Sequence, residues 1–189
     1  MSGVSAVVKS RGLVVPPALK DEVGAAVKAV GSSWWGERLW RGPSGEQVSG
    51  QEVADHLAKT IARLERAGWR RKWLDDVEPG EPSPVDELSE SSSVRAVLRA
   101  AVWALKEFAG SGGDRRLTLL SALADGVDDD TWMVSSRLMD LVLATRLGVP
   151  RANVTSWSER QGRTFDEVRD LAAVAAEVAR RTGPKAGDR

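Results

Sequence analysis

The sequence predicts an all-α protein, a compact bundle of five or six helices with room for one small N-terminal β-hairpin. Three observations point there. Apolar residues recur every three or four positions through most of the chain, two segments open with matched capping residues, and alternation of the strand kind is confined to short stretches near the N-terminus. At 189 residues the length suits one domain with a sizeable core.

The elements follow in order. Val4–Val8 and Leu13–Val15 flank a polar Lys-Ser-Arg-Gly, which fits a hairpin or a bare arm. Pro16 and Pro17 then open a helix in which Leu19, Val23, Ala26, Val27 and Val30 share a face, closed by Gly31 and weakened by Gly24. In WWGERLWRGPSGEQV the Gly42–Gly45 turn separates two short segments that can pair as strands. Ser49 and Glu52 have capping-box spacing, and Val53, Leu57, Ile61 and Leu64 follow at helical spacing until Gly68. Residues 75–92 form an acidic loop: the seven acids and three prolines of 75–90 come with no lysine or arginine. A central helix runs from Val94 to Phe108, and Asp114 can cap the next, RRLTLLSALADG. Asp128, Asp129 and Asp130 begin a helix that Gly148-Val149-Pro150 stops, and Thr164 with Glu167 caps the last. The chain therefore divides into residues 1–48 (arm, helix and Trp-rich turn), a helical domain over 49–181, and a tail over 182–189.

Composition narrows the function. The 27 basic and 27 acidic residues balance, which argues against a surface tuned as a whole to nucleic acid or to anionic lipid. Absence of cysteine excludes disulfides, zinc–thiolate sites and cysteine nucleophiles, and a single histidine leaves little for imidazole chemistry. No apolar run reaches the length of a membrane span and the N-terminus lacks the layout of a secretory signal, so the expected location is cytoplasmic. His56 sits beside an apolar stripe and reads as a boundary residue. The aspartates at 125, 128, 129 and 130 miss the calcium-loop spacing and read as helix caps. No catalytic motif is recognisable, and no catalytic residue, metal or cofactor is expected.

Two clusters remain as recognition candidates. Trp34, Trp35 and Trp40 with Arg38 and Arg41 combine the residue types that most often anchor interfaces, although alternation puts at least one of the indoles inside; core and interface are equally compatible with the text. Arg63, Arg66, Arg70, Arg71 and Lys72 with Trp69 and Trp73 combine phosphate-neutralising cations with stacking planes, as nucleic-acid binding requires. The plainer account of that segment is two core tryptophans with a solvated basic rim. The leading expectation is thus a non-enzymatic protein-interaction domain, and the alternative a nucleic-acid-associated regulator.

The segment Trp157-Ser158-Glu159-Arg160-Gln161-Gly162-Arg163-Thr164, with Glu167-Val168, resembles the W-N-D-x-P-x-R-T-x-x-E-V motif of an uncharacterised protein family of actinobacteria, other bacteria and phages. The helix ending in Arg-Ala-Gly-Trp69 is similar to that family's opening helix, and together the two resemblances cover about residues 50–181. Ser158, Glu159 and Gln161 depart from the motif, and a cysteine-bearing helix of the family corresponds here to the cysteine-free Leu98–Trp103. The resemblance implies packed helices and an actinobacterial or phage-related origin, without an activity. Physically, Trp157 can pin the loop, Arg163 can reach a neighbouring carboxylate or loop carbonyl, and Thr164 with Glu167 caps the final helix.

Overall fold

A computed structural model describes residues 13–33, 36–71 and 116–187. Several sequence expectations lie outside them: most of the N-terminal hairpin, Trp34, Trp35, Lys72, Trp73, the acidic loop and the helix at Val94–Phe108. Six α-helices are present among the described residues: α1 (Lys20–Ser32), α2 (Gly50–Ala67), α3 (Leu119–Ala124), α4 (Asp129–Leu147), α5 (Val154–Ser158) and α6 (Phe165–Thr182). The all-α class is as predicted. No strand occurs among these residues, only single bridges pairing Arg41 with Gln47 and Trp69 with Leu117.

Helices α2 and α6 form the central pair, with α1, α3 and α4 packed around them. Local chemistry fixes where both begin. Ser49 Oγ accepts from Glu52 N at 3.2 Å while Glu52 returns to Ser49 N at 2.8 Å, and Thr164 with Glu167 repeats the arrangement. Val53, Leu57, Ile61 and Leu64 of α2 are buried against Val168, Leu171, Ala172, Ala175 and Val178 of α6 within one apolar cluster. Each fully buried leucine or isoleucine there contributes about 1.5–3 kcal/mol. The alanine-rich face of α6 lets the pair approach closely. At one end Gly50 N donates to the Pro184 carbonyl at 3.0 Å, and a Cβ at Gly50 would overlap the Ala179 carbonyl oxygen and meet Gly183 Cα at 2.9 Å.

Three boundaries differ from the sequence reading, each because tertiary contacts override the local signal. The segment Gly36–Trp40 is a 3-10 helix, not a strand, because Leu39 and Trp40 both turn into the core, at 0% and 5% exposure. Helix α3 is capped by Thr118, whose side chain accepts from Ser121 N, so it starts later than a cap at Asp114 would set it. Leu117 is instead drawn against α2's exit, where its N–H donates to the Gly68 carbonyl at 2.8 Å. Helix α5 lies where the sequence reading placed only loop.

Candidate functional site

The most site-like feature is a cleft of about 630 Å³ between the C-terminal turn of α1, one side of α4 and the 150–152 loop. This volume is typical of ligand and anchor pockets. Ala29, Leu141, Ala144, Pro150 and Ala152 supply apolar wall, Arg137 and Arg151 supply positive charge, and Ser32, Ser33 and Asp140 supply polar atoms. Helical spacing explains the α4 contribution, since 137, 141 and 144 succeed one another along one side. Ser33 Oγ is buried with no hydrogen-bond partner among the described residues. Asp140 Oδ1 accepts from Val154 N at 2.6 Å, tying α4 to the first residue of α5. Burial pushes that carboxyl up to about 6, against the stabilising backbone N–H of Val154.

Leu147 at 47% and Val149 at 42% are, with Val14 and Leu120, the exposed large apolar side chains among the described residues, and they lead directly into the Pro150–Ala152 wall of the cleft. Leu147 follows Asp140 by seven positions and Ala144 by three, so it prolongs the cleft side of α4. The backbone at Arg41 reaches the same place. Arg137 Nη1 donates to the Arg41 carbonyl at 2.7 Å. Arg38 and Arg41 are exposed. Trp40, counted with that cluster, is a core residue and is withdrawn from the surface.

The other predicted residues fall into two groups that the fold largely occupies. Arg63 donates to the carbonyls of Ala122 and Asp125 and pairs with the Asp125 carboxylate, bracing α2 against α3. Trp69 packs against the core and lies 6.3 Å from the Phe165 ring, with its indole N–H buried, so its ring is not an open stacking plane. Arg66 is exposed, while Arg70 and Arg71 are half-buried. In the motif, Trp157 is 4% exposed, Arg163 lies 4.6 Å over its ring and bonds Glu167 at 2.7 Å. The hydrogen bond from Thr164 N, helped by the neighbouring Arg163, holds the Glu167 carboxyl below its usual range, against the opposing effect of burial. All four motif residues thus act on the α5–α6 junction.

His56 is not at a boundary: it is 4% exposed and its Nε2 has no hydrogen-bond partner among the described residues. Burial first, then the Arg63 charge, lower its pKa to about 4, against a hydrogen bond to the Leu123 carbonyl. The folded state therefore holds it neutral, while an unfolded chain protonates below about 6.5. Its contribution is complete above that pH and is lost as pH falls toward 4, by up to about 3 kcal/mol. Asp140 acts oppositely, its contribution present below its unfolded pKa and lost as pH rises through 6. Urea unfolding at pH 4.5–7 should show stability falling on acidification in the native chain, a flatter profile in His56→Gln, and a steeper fall in Asp140→Asn. An unchanged slope in both variants contradicts these assignments.

Sequence reading missed Asp140, Leu147, Val149 and Arg151. Asp140 had a faint signal, a lone carboxylate within the otherwise apolar LMDLVLA. Among the described residues no cluster of three metal-ligating side chains occurs, and no helix is long and apolar enough to cross a membrane.

No curated protein and no solved structure matches the chain. Residues 48–178 match the family of unknown function DUF6197, a span that takes in α2, the cleft side of α4 and the Trp157–Val168 motif, and the chain belongs to that family.

Proposed function

We propose that this chain is a non-catalytic, cytoplasmic protein-interaction domain whose recognition surface is the α1–α4 cleft with its rim. One observation carries the reading: the exposed apolar side chains Leu147 and Val149 lead directly into the Pro150–Ala152 wall of a cleft that also holds two arginines and a buried hydroxyl unpartnered among the described residues. Apolar groups left outside beside guanidinium groups are the usual makings of a protein contact. Arg41, singled out in the sequence, borders the same surface through its carbonyl, which accepts from Arg137. A cysteine-free chain suits a reducing compartment, and the motif's resemblance to actinobacterial and phage proteins supports an origin in such a genome.

The test is capture from a nuclease-treated lysate of the native host at physiological salt. Retention of a discrete partner by the native chain, and at least about tenfold less by Leu147→Asp/Val149→Asp with an unchanged thermal melt, is the expected result. Equal retention by the double variant overturns the assignment. Loss of all retained material on nuclease treatment, restored by omitting the nuclease and weakened in Arg70→Ala/Arg71→Ala, would instead support the nucleic-acid reading. In favour of that alternative, the Trp69–Leu117 bridge brings Arg116 beside the basic exit of α2.

A further inference from the structure

Helix α3 has six residues, too few to hold a helix by its own hydrogen bonds, so its shape depends on what it packs against. Leu119, Ala122 and Leu123 are buried in the common core, and its last turn leaves carbonyls that the helix itself cannot satisfy. Helix α2 supplies their partners. Arg63 donates to the carbonyls of Ala122 and Asp125 and pairs with the Asp125 carboxylate, and His56, two turns earlier on the same side of α2, bonds the Leu123 carbonyl. Beyond these contacts the chain turns at Gly126, whose φ of 66° lies in the left-handed region. At the other end the bond from Leu117 N to the Gly68 carbonyl fixes the approach. We propose that α3 is a pH-released flap latched to α2 through His56: protonation of that imidazole frees residues 118–125 while the α2–α6 pair stays folded.

The surroundings of the imidazole make this latch conditional. His56 is 4% exposed, and its Nε2 meets no hydrogen-bond partner among the described residues. A proton there places a second N–H donor and a full positive charge where no acceptor receives them. Arg63 and Lys59 of α2 oppose a cation at this point, while the Leu123 carbonyl of α3 and Asp128 at the start of α4 favour one. The remaining nearby carboxylates are engaged: Asp125 pairs with Arg63, and Glu52, one turn before His56, accepts from Ser49 N. On α6 the charged residues that reach α2, Arg169 and Asp170, stand with Ala58, Ala62 and Glu65, on a side of the helix turned by more than about 100° from His56. With α3 swung aside the imidazole reaches water and titrates as an ordinary histidine, near about 6.5, whereas the closed flap holds protonation off until about 4. Between those values only the open form takes the proton, so each unit of acidification multiplies its population by about ten. Opening bares Leu119 and Leu123, which are 1% and 0% exposed in the closed arrangement. The α2–α6 contact is larger than that between α2 and α3, which is why the flap yields first.

Native-state hydrogen exchange on the full chain tests this, read at about pH 7.5 and about pH 5.5, without urea and in about 1 M urea, and corrected for the intrinsic pH dependence of exchange. The expected result is that the amides of residues 121–124 lose protection by about tenfold on acidification and respond little to urea. Core amides of α2 and α6 should stay at least about tenfold better protected at both pH values and respond strongly to urea, as global unfolding does. His56→Gln, which carries no titratable group at this point, should hold the protection of α3 within about twofold between the two pH values. The chain has a single histidine, so a carbon-13-labelled imidazole gives a second reading without substitution. It should titrate well below about 6.5, in step with the loss of α3 protection. Exchange of residues 121–124 through the same urea-sensitive opening as α2 and α6, an equal pH effect in His56→Gln, or an imidazole that titrates near about 6.5 while α3 stays protected overturns the proposal. Should His56→Gln not fold, exchange and imidazole titration of the native chain decide between these outcomes.

Discussion

Gly50→Ala should destabilise the protein by at least about 3 kcal/mol. Helix propensity alone favours alanine over glycine by up to about 1 kcal/mol, so even the sign of the effect is informative. The contact responsible lies where α2 begins and α6 ends. A Cβ at residue 50 overlaps the Ala179 carbonyl oxygen and meets Gly183 Cα at 2.9 Å. Both obstacles are backbone, and neither can swing aside as a side chain would. The relief available is to part α2 from α6, which would strain the Gly50 N–H to Pro184 carbonyl bond and loosen the largest helix–helix contact among the described residues. Ser49→Ala, by contrast, removes only the capping hydroxyl and should cost about 1 kcal/mol. Urea unfolding at pH 7 separates the two, and a Gly50→Ala midpoint at or above that of the native chain would rule out the close approach.

Trp157→Ala carries the second large effect, about 3–5 kcal/mol. The indole is 4% exposed within the core cluster and supports the Arg163 guanidinium 4.6 Å above its ring. Truncation leaves a cavity under α5 and frees Arg163 to lose part of its hold on Glu167. The indole N–H is buried without a partner among the described residues, so Trp157→Phe should cost under about 2 kcal/mol, since the smaller ring no longer buries that donor. A loss under about 0.5 kcal/mol in Trp157→Ala would place the ring outside the core and turn the motif from a structural latch into a candidate ligand site.

The helices were legible in the sequence wherever their signals are local. Ser49 with Glu52, and Thr164 with Glu167, act within one turn, so spacing alone reveals them. Gly148, in the left-handed conformation at the end of α4, is equally local. What could not be read depends on residues distant in the chain. The 3-10 turn at Gly36–Trp40 exists because Leu39 and Trp40 are drawn into the common core. Helix α5 begins where Asn153 caps it and Asp140, fourteen positions upstream, receives Val154 N. His56 looks peripheral in a helical stripe and becomes interior once α3 supplies the Leu123 carbonyl. The candidate site was half legible for the same reason. Its arginines at 38 and 41 stood out by composition, but the cleft is made by α1, α4 and the 150–152 loop converging, and no periodicity within one segment encodes that meeting.

Hydrogen–deuterium exchange of the purified chain alone and saturated with its captured host partner tests the central claim most directly. Protection concentrated at residues 137–152 and around 32–41, with α2 and α6 unchanged, is the result this account predicts. Protection confined to residues 63–71 and 116–118, or none at all in the α4 strip, would contradict it.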